Sequence, residues 1–139
     1  MDSESWLKEL VPTLSEELRR KLVAHRGFHC PLLSDERPLE CTRAALKAAW
    51  ASGLQHCECD VRLSSDQKII LLHDPNLNRL VDGTTPDANT ITAGELTAWP
   101  LRQPGVHVTL LEDALETALE LGARLVSWLV AQNMELMPC

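Results

Sequence analysis

The chain has 139 residues, 45% of them apolar, and a formal net charge of −7. That length suits one domain with a modest core, and an acidic balance with no Lys/Arg run excludes nucleic acid as the expected partner. No apolar run approaches the roughly 18 residues of a membrane span. The start Met1-Asp2-Ser3-Glu4-Ser5 lacks the basic and apolar regions of a signal peptide. Five cysteines without zinc-finger spacing read as reduced thiols, so the expected compartment is the cytoplasm.

Residues 3–21 read as helix with a break at Pro12, and Thr13 and Glu16 offer a capping box for its second part. Leu22-Val23-Ala24 is a short buried strand that delivers His25 at its end. Residues 26–38, with Gly27, Pro31, Ser34, Asp35 and Pro38, have loop composition. A helix follows from about Glu40 to Ser52, with Ala45, Leu46, Ala49 and Trp50 on one face and Gly53 as its terminator.

His56 to Leu63 is a strand whose alternation puts His56, Glu58 and Asp60 on one face and Cys57, Cys59 and Val61 on the other. After the turn 64–67, Lys68 to Leu72 is a second apolar strand with His73 at its end. Four residues are too few for a helical crossover, so antiparallel pairing and an unusual parallel connection both stay open. A long polar loop over 74–108 contains a short helix after the Thr92/Glu95 capping box. Thr109 and Glu112 suggest another box, opening a helix with Leu111, Ala114, Leu115, Ala118 and Leu119 inward and Gly122 at its end. Leu125 to Val130 is the last strand, and 132–139 reads as a frayed tail. The strand–helix–strand order indicates an α/β architecture with parallel pairing.

The chemistry-bearing residues stand at strand ends and on one strand face. Glu58 and Asp60 are hard oxygen donors spaced to reach one Mg²⁺ or Ca²⁺ ion; the plainer reading is an exposed acidic edge. His25 and His73 suit general acid–base work at the mouth of a pocket, against two structural histidines. Arg26 offers a fork that matches phosphate oxygens, against an ordinary surface charge. A zinc set drawn from His25, His29, Cys30, His56, Cys57 and Cys59 fails on spacing and on strand parity, and Cys57 and Cys59 read as small buried hydrophobes. Trp6, Trp50, Trp99 and Trp128 read as packing residues. Together the ordered set points to phosphodiester chemistry.

In order, Ala24-His25-Arg26-Gly27, Pro38-Leu39-Glu40-Cys41-Thr42, Glu58-Cys59-Asp60-Val61 and Leu72-His73-Asp74-Pro75 resemble the glycerophosphodiester phosphodiesterase family. Weaker matches are Leu77-Asn78-Arg79, Asp82-Gly83-Thr84, the run from Thr90 to Leu96, and the run from Val108 to Glu112. The resemblance covers about 22–126 and only the N-terminal half of the family's fold.

It implies a truncated TIM (β/α)₈ barrel of the phospholipase-C-like phosphodiesterase type, with three to four strands present. It also implies hydrolysis of glycerophosphodiesters to glycerol 3-phosphate and an alcohol. By that resemblance His25 and His73 are the acid/base pair, Glu58 and Asp60 bind a divalent cation (Mg²⁺ or Ca²⁺), Arg26 contacts the phosphate and Glu40 lines the pocket. The expected division is an N-terminal helical extension over 1–21, a partial catalytic domain over 22–126 and a divergent tail over 127–139.

Three departures accompany the resemblance. Cys41 stands where the family has Asn. The loop between Gly27 and Pro38 is long. The third metal carboxylate expected near Ser127-Trp128 is absent. A closed barrel needs about 250 residues, so the sheet is expected to keep open edges available for self-association, and the chain to be a truncated product with an unrelated tail. The competing functional readings are an inactive fragment or binding module, and a phospholipase-D-like lipase on the same fold.

Overall fold

The structure is a computed structural model that describes residues 11–29 and 38–129. The parts of the expected first helix before residue 11, the loop residues Cys30, Pro31, Ser34 and Asp35, Trp6 and the tail beyond residue 129 lie outside the described residues. In chain order the elements are α1 (Glu16–Lys21), β1 (Val23–His25), α2 (Arg43–Ala51), β2 (His56–Leu63), β3 (Ile69–Leu71), a 3₁₀ turn (Ala88–Thr90), α3 (Ala93–Ala98), α4 (Leu111–Glu120) and β4 (Arg124–Leu129).

β2 is the central strand. β1 and β4 both pair with it in parallel, and β3 pairs with it antiparallel. Val61 faces Leu71 on one side and Leu129 on the other, so β3 and β4 lie on opposite edges of β2. The parallel partner β1 shares β3's edge, because Glu58 faces His25 on one side and Val126 on the other. The turn at 64–67 thus makes a hairpin: Gln67 takes φ 60 and donates its backbone N–H to Ser64 O at 3.1 Å. Ser64 Oγ closes it by donating to Asp66 Oδ1 at 2.6 Å and accepting from Lys68 N at 3.0 Å. This settles the open pairing in favour of the antiparallel arrangement.

The sheet's Cys57/Cys59/Val61 face packs against α2 and α4 in a core with Leu46, Ala49, Trp50, Leu71, Ala114 and Ala118. The small residues on α4 allow close approach, and Arg43 Nε on α2 donates to Thr117 Oγ1 at 2.8 Å. That contact sets the rotation of α4. Ala114, Thr117 and Ala118 are buried, whereas Leu115 is 43% and Leu119 81% exposed, which corrects the expectation that both leucines face inward. The apolar stripe is wider than the surface available to cover it.

The region 74–108 is less of a free loop than its composition suggests. Leu77, Leu80, Val81, Ala88, Ile91, Leu96 and Val108 gather on Ile70, Leu72 and Leu39 into a second core. The Thr92/Glu95 box caps α3 with both of its reciprocal bonds. Two other expected boxes do not form. Ser15, not Thr13, caps α1, accepting from Leu18 N at 3.2 Å, and the break falls at 14–15 instead of Pro12. Thr109 is drawn away from α4: its Oγ1 accepts from Arg43 N at 2.9 Å, and α4 begins without a side-chain cap. Among the described residues no helix is long and apolar enough to cross a membrane.

Candidate functional site

The register of the sheet assembles the site. β1 runs parallel to β2 and ends with His25 beside Glu58. β3 runs the other way along the same edge, ends with Leu71 beside Val61, and continues with Leu72 N donating to Asp60 O at 2.9 Å. His25 and His73 therefore arrive from opposite directions at the Glu58–Asp60 stretch. On β4 the positions that share this face are Arg124, Val126 and Trp128, so no carboxylate stands there.

Sharp backbone turns hold the first segment in place. Arg26 has φ 60 and Gly27 φ 79, and a Cβ on Gly27 would sit 2.7 Å from the Ala45 carbonyl carbon. Only glycine fits against α2 at that point. Phe28 N donates to Ala45 O at 2.9 Å, and Cys41 N donates to Arg26 O at 3.0 Å, which stitches the 26–28 turn to the 40–42 turn. Cys41 itself has φ 54 and is buried. The left-handed region suits Asn better than Cys, which gives a physical reason for the Asn that the resemblance places there. The backbone bond to Arg26 survives the exchange. Thr42 then caps α2, accepting from Ala45 N at 3.2 Å while donating to Leu39 O at 2.7 Å.

A chain of ion pairs crosses the site. Arg26 Nη1 donates to Glu40 Oε2 at 2.7 Å, and Arg26 Nε lies 3.5 Å from Asp60 Oδ2. Arg79 bridges the other Glu40 oxygen to Asp74, and Asp74 Oδ1 lies 2.7 Å from His73 Nδ1. Burial alone would raise the Glu40 carboxyl, but its bond to Arg26 and the charge of Arg79 more than offset this and hold it below its ordinary range. The Arg79 bond, assisted by His73, depresses Asp74 to about 2. An ionised Asp74 only accepts, so His73 Nδ1 carries the proton and Nε2 is left free for transfer.

Burial pushes His29 down, against its bond to the Gly27 carbonyl. His25 is 69% exposed, with Nε2 3.8 Å from Glu58 Oε2; that oxygen also accepts from Arg26 N at 3.3 Å.

Sequence reasoning assigned no role to two arginines that the fold brings in. Arg62 is buried and donates through Nε and Nη2 to His73 O at 2.9 and 2.6 Å, fixing the backbone that carries His73. Burial lowers its pKa. Its parity with Glu58 and Asp60 on β2 was a readable signal. Arg79 lies in a loop, where no periodicity marks it.

The donor chemistry of Glu58 and Asp60 suits a hard divalent cation. Asp60 Oδ2 is buried and accepts no hydrogen bond although Arg26 Nε lies 3.5 Å away, so it keeps a lone pair that a hard cation would use. Among the described residues no group of three or more His, Cys, Asp or Glu gathers as a full protein cage would. Two carboxylates completed by water and phosphate oxygens are a sufficient set for a magnesium-like ion, and the residues fit on those terms. Cys57 and Cys59 are fully buried on the opposite face from His56.

An α/β sheet thus brings acids, histidines and arginines together along one strand edge, and comparison with known proteins gives the family. The glycerophosphoryl diester phosphodiesterase family model matches residues 25–137, and the chain belongs to that family. The glycerophosphodiester phosphodiesterase of Agrobacterium tumefaciens is 28% identical with a TM-score of 0.64, covering 77% of this chain and 46% of that one.

A phosphodiesterase from Oleispira antarctica, solved with the product sn-glycerol-3-phosphate, is 28% identical with a TM-score of 0.66, covering 77% and 43%. The glycerophosphodiester phosphodiesterase of Thermotoga maritima is 27% identical with a TM-score of 0.62, covering 78% and 43%. No curated protein matches. The chain thus spans less than half the length of these relatives, and its fold is a part of their α/β barrel.

Proposed function

We propose that this chain carries the N-terminal part of a metal-dependent phosphodiester hydrolase acting on glycerophosphodiesters to yield glycerol 3-phosphate and an alcohol. The observation that carries the reading is the approach of His25 and His73 along one edge of β2 to Glu58 and Asp60. His73, with Nδ1–H given to Asp74, presents Nε2 as the base that takes the proton from an attacking hydroxyl or water. His25, exposed at the end of β1, protonates the oxygen of the departing alcohol as the P–O bond breaks. Arg26, anchored by Glu40, turns the N–H groups that Glu40 leaves free toward the phosphate. Glu58 and Asp60 hold the divalent cation (Mg²⁺ or Ca²⁺), which when bound neutralises phosphate charge.

A second reading, a non-catalytic binding module, is favoured by the carboxylate-free positions of β4 beside Glu58 and Asp60. Assay of glycerol 3-phosphate release from glycerophosphodiesters separates the two. Release that both EDTA and His25→Ala abolish, and that added Mg²⁺ or Ca²⁺ restores after EDTA, supports the hydrolase. Silence from a folded, metal-supplied sample supports the binding module.

A further inference from the structure

His29 stands two residues past Gly27, and the hydrolytic scheme gives it no part. Its ring is half-buried and lines a cavity of about 610 Å³ together with Arg26, Glu40, Arg79 and Asp82. That volume lies within the range of small-ligand sites.

The tautomer of this ring is set by its own turn. His29 Nδ1 lies 3.2 Å from Gly27 O. A carbonyl oxygen only accepts, so Nδ1 carries the proton and Nε2 keeps its lone pair. Burial holds the ring neutral at pH 7: it lowers the pKa, against the Gly27 bond and the charge of Glu40, and the charges of Arg26 and His25 act in the same direction as burial. His29 therefore offers an uncharged acceptor at Nε2.

The carboxylates of the lining are acceptors of another kind. Glu40 gives one oxygen to Arg26 and the other to Arg79. Asp82 is exposed and charged, and it attracts a hydroxyl or a cation alike. A neutral nitrogen of fixed tautomer pairs with a hydroxyl without that charge. Arg26, the phosphate contact of the hydrolase reading, lines the same cavity, so phosphate and acceptor face one space.

We infer that His29 Nε2 accepts a hydrogen bond from a free hydroxyl of the bound diester, which makes His29 a specificity-determining residue. The inference takes the diester from the hydrolase reading, but the contact itself is a binding property.

The test follows binding to the His25→Ala chain, supplied with Mg²⁺, by titration calorimetry and histidine ¹⁵N NMR. Glycerophosphocholine carries hydroxyls on its glycerol half alone, propylphosphocholine carries none, and glycerophosphoinositol carries them on both halves. Glycerophosphocholine is expected to bind about fivefold more tightly than propylphosphocholine, the size of one net hydrogen bond, and to move the His29 Nε2 resonance. His29→Asn keeps a donor for Gly27 O, because its amide nitrogen stands where Nδ1 stood, but it removes Nε2 and should abolish the difference. His29→Phe should do the same, with circular dichroism and urea unfolding reporting an intact fold for both variants. A loss confined to the advantage of the inositol diester over the choline diester would support the contact and place its hydroxyl on the alcohol half.

A hydroxyl preference that survives His29→Asn in a folded sample, or that Asp82→Asn removes instead, would overturn the assignment. So would a His29 resonance that no diester moves, or no binding of any of the three. A hydroxyl preference without glycerol 3-phosphate release by the unaltered chain would sink the hydrolase reading and leave the His29 contact standing.

Discussion

Asp74 joins the second histidine to the rest of the site, and replacing it with Asn tests the ion-pair chain most directly. Its carboxyl falls from an ordinary 3.8 to about 2 in the folded chain, chiefly through Arg79. At full value that drop corresponds to about 2.4 kcal/mol. Arg79 is 51% exposed, so solvent screening reduces the expected contribution to about 1 kcal/mol.

The folded pKa is depressed, so this stability is complete above the unfolded value near 3.8 and is lost as pH falls toward 2. Urea unfolding of the unaltered and Asp74→Asn chains at pH 7, 5 and 3 measures it. The gap between the two should be about equal at pH 7 and 5 and clearly narrower at pH 3. A gap that stays constant down to pH 3, or no gap at pH 7, would refute the argument. Histidine ¹⁵N NMR gives a second readout: Asp74→Asn should release His73 from the Nδ1–H tautomer that the ionised carboxylate enforces.

Two further substitutions probe the supports of the site. Arg62→Met removes both bonds to the His73 carbonyl, and kcat for diester hydrolysis should fall roughly tenfold to a hundredfold with KM little changed; Arg62→Lys should recover part of the loss, and an unchanged kcat would contradict the positioning role. Gly27→Ala forces a Cβ against the Ala45 backbone at a positive φ and should cost about 2 kcal/mol or more in urea unfolding, with an unaffected midpoint counting against the close approach.

Much of the local structure was readable from the order of residues. β2 spans His56–Leu63 as its alternation indicates, because a strand repeats every two residues and one face must be apolar. α2 buries Ala45, Leu46, Ala49 and Trp50, the stripe its periodicity marks, and Gly53 and Gly122 end helices at positive φ. The four motifs were likewise visible because each is short and continuous.

What the order of residues left open depends on contacts between distant segments. Whether β3 runs with or against β2 follows from the hairpin bonds around Ser64. Thr109 leaves its expected cap because Arg43, 66 residues away, supplies a better partner for its hydroxyl. Leu115 and Leu119 face outward because the Arg43–Thr117 bond and the small residues on α4 set that helix's rotation. Arg62 and Arg79 acquire their roles only when the second core folds back and carries His73 and Asp74 to them. Periodicity specifies which face of an element is apolar. It does not specify which remote polar group will compete for a cap or complete an ion pair, and those long-range competitions were decided by the tertiary structure alone.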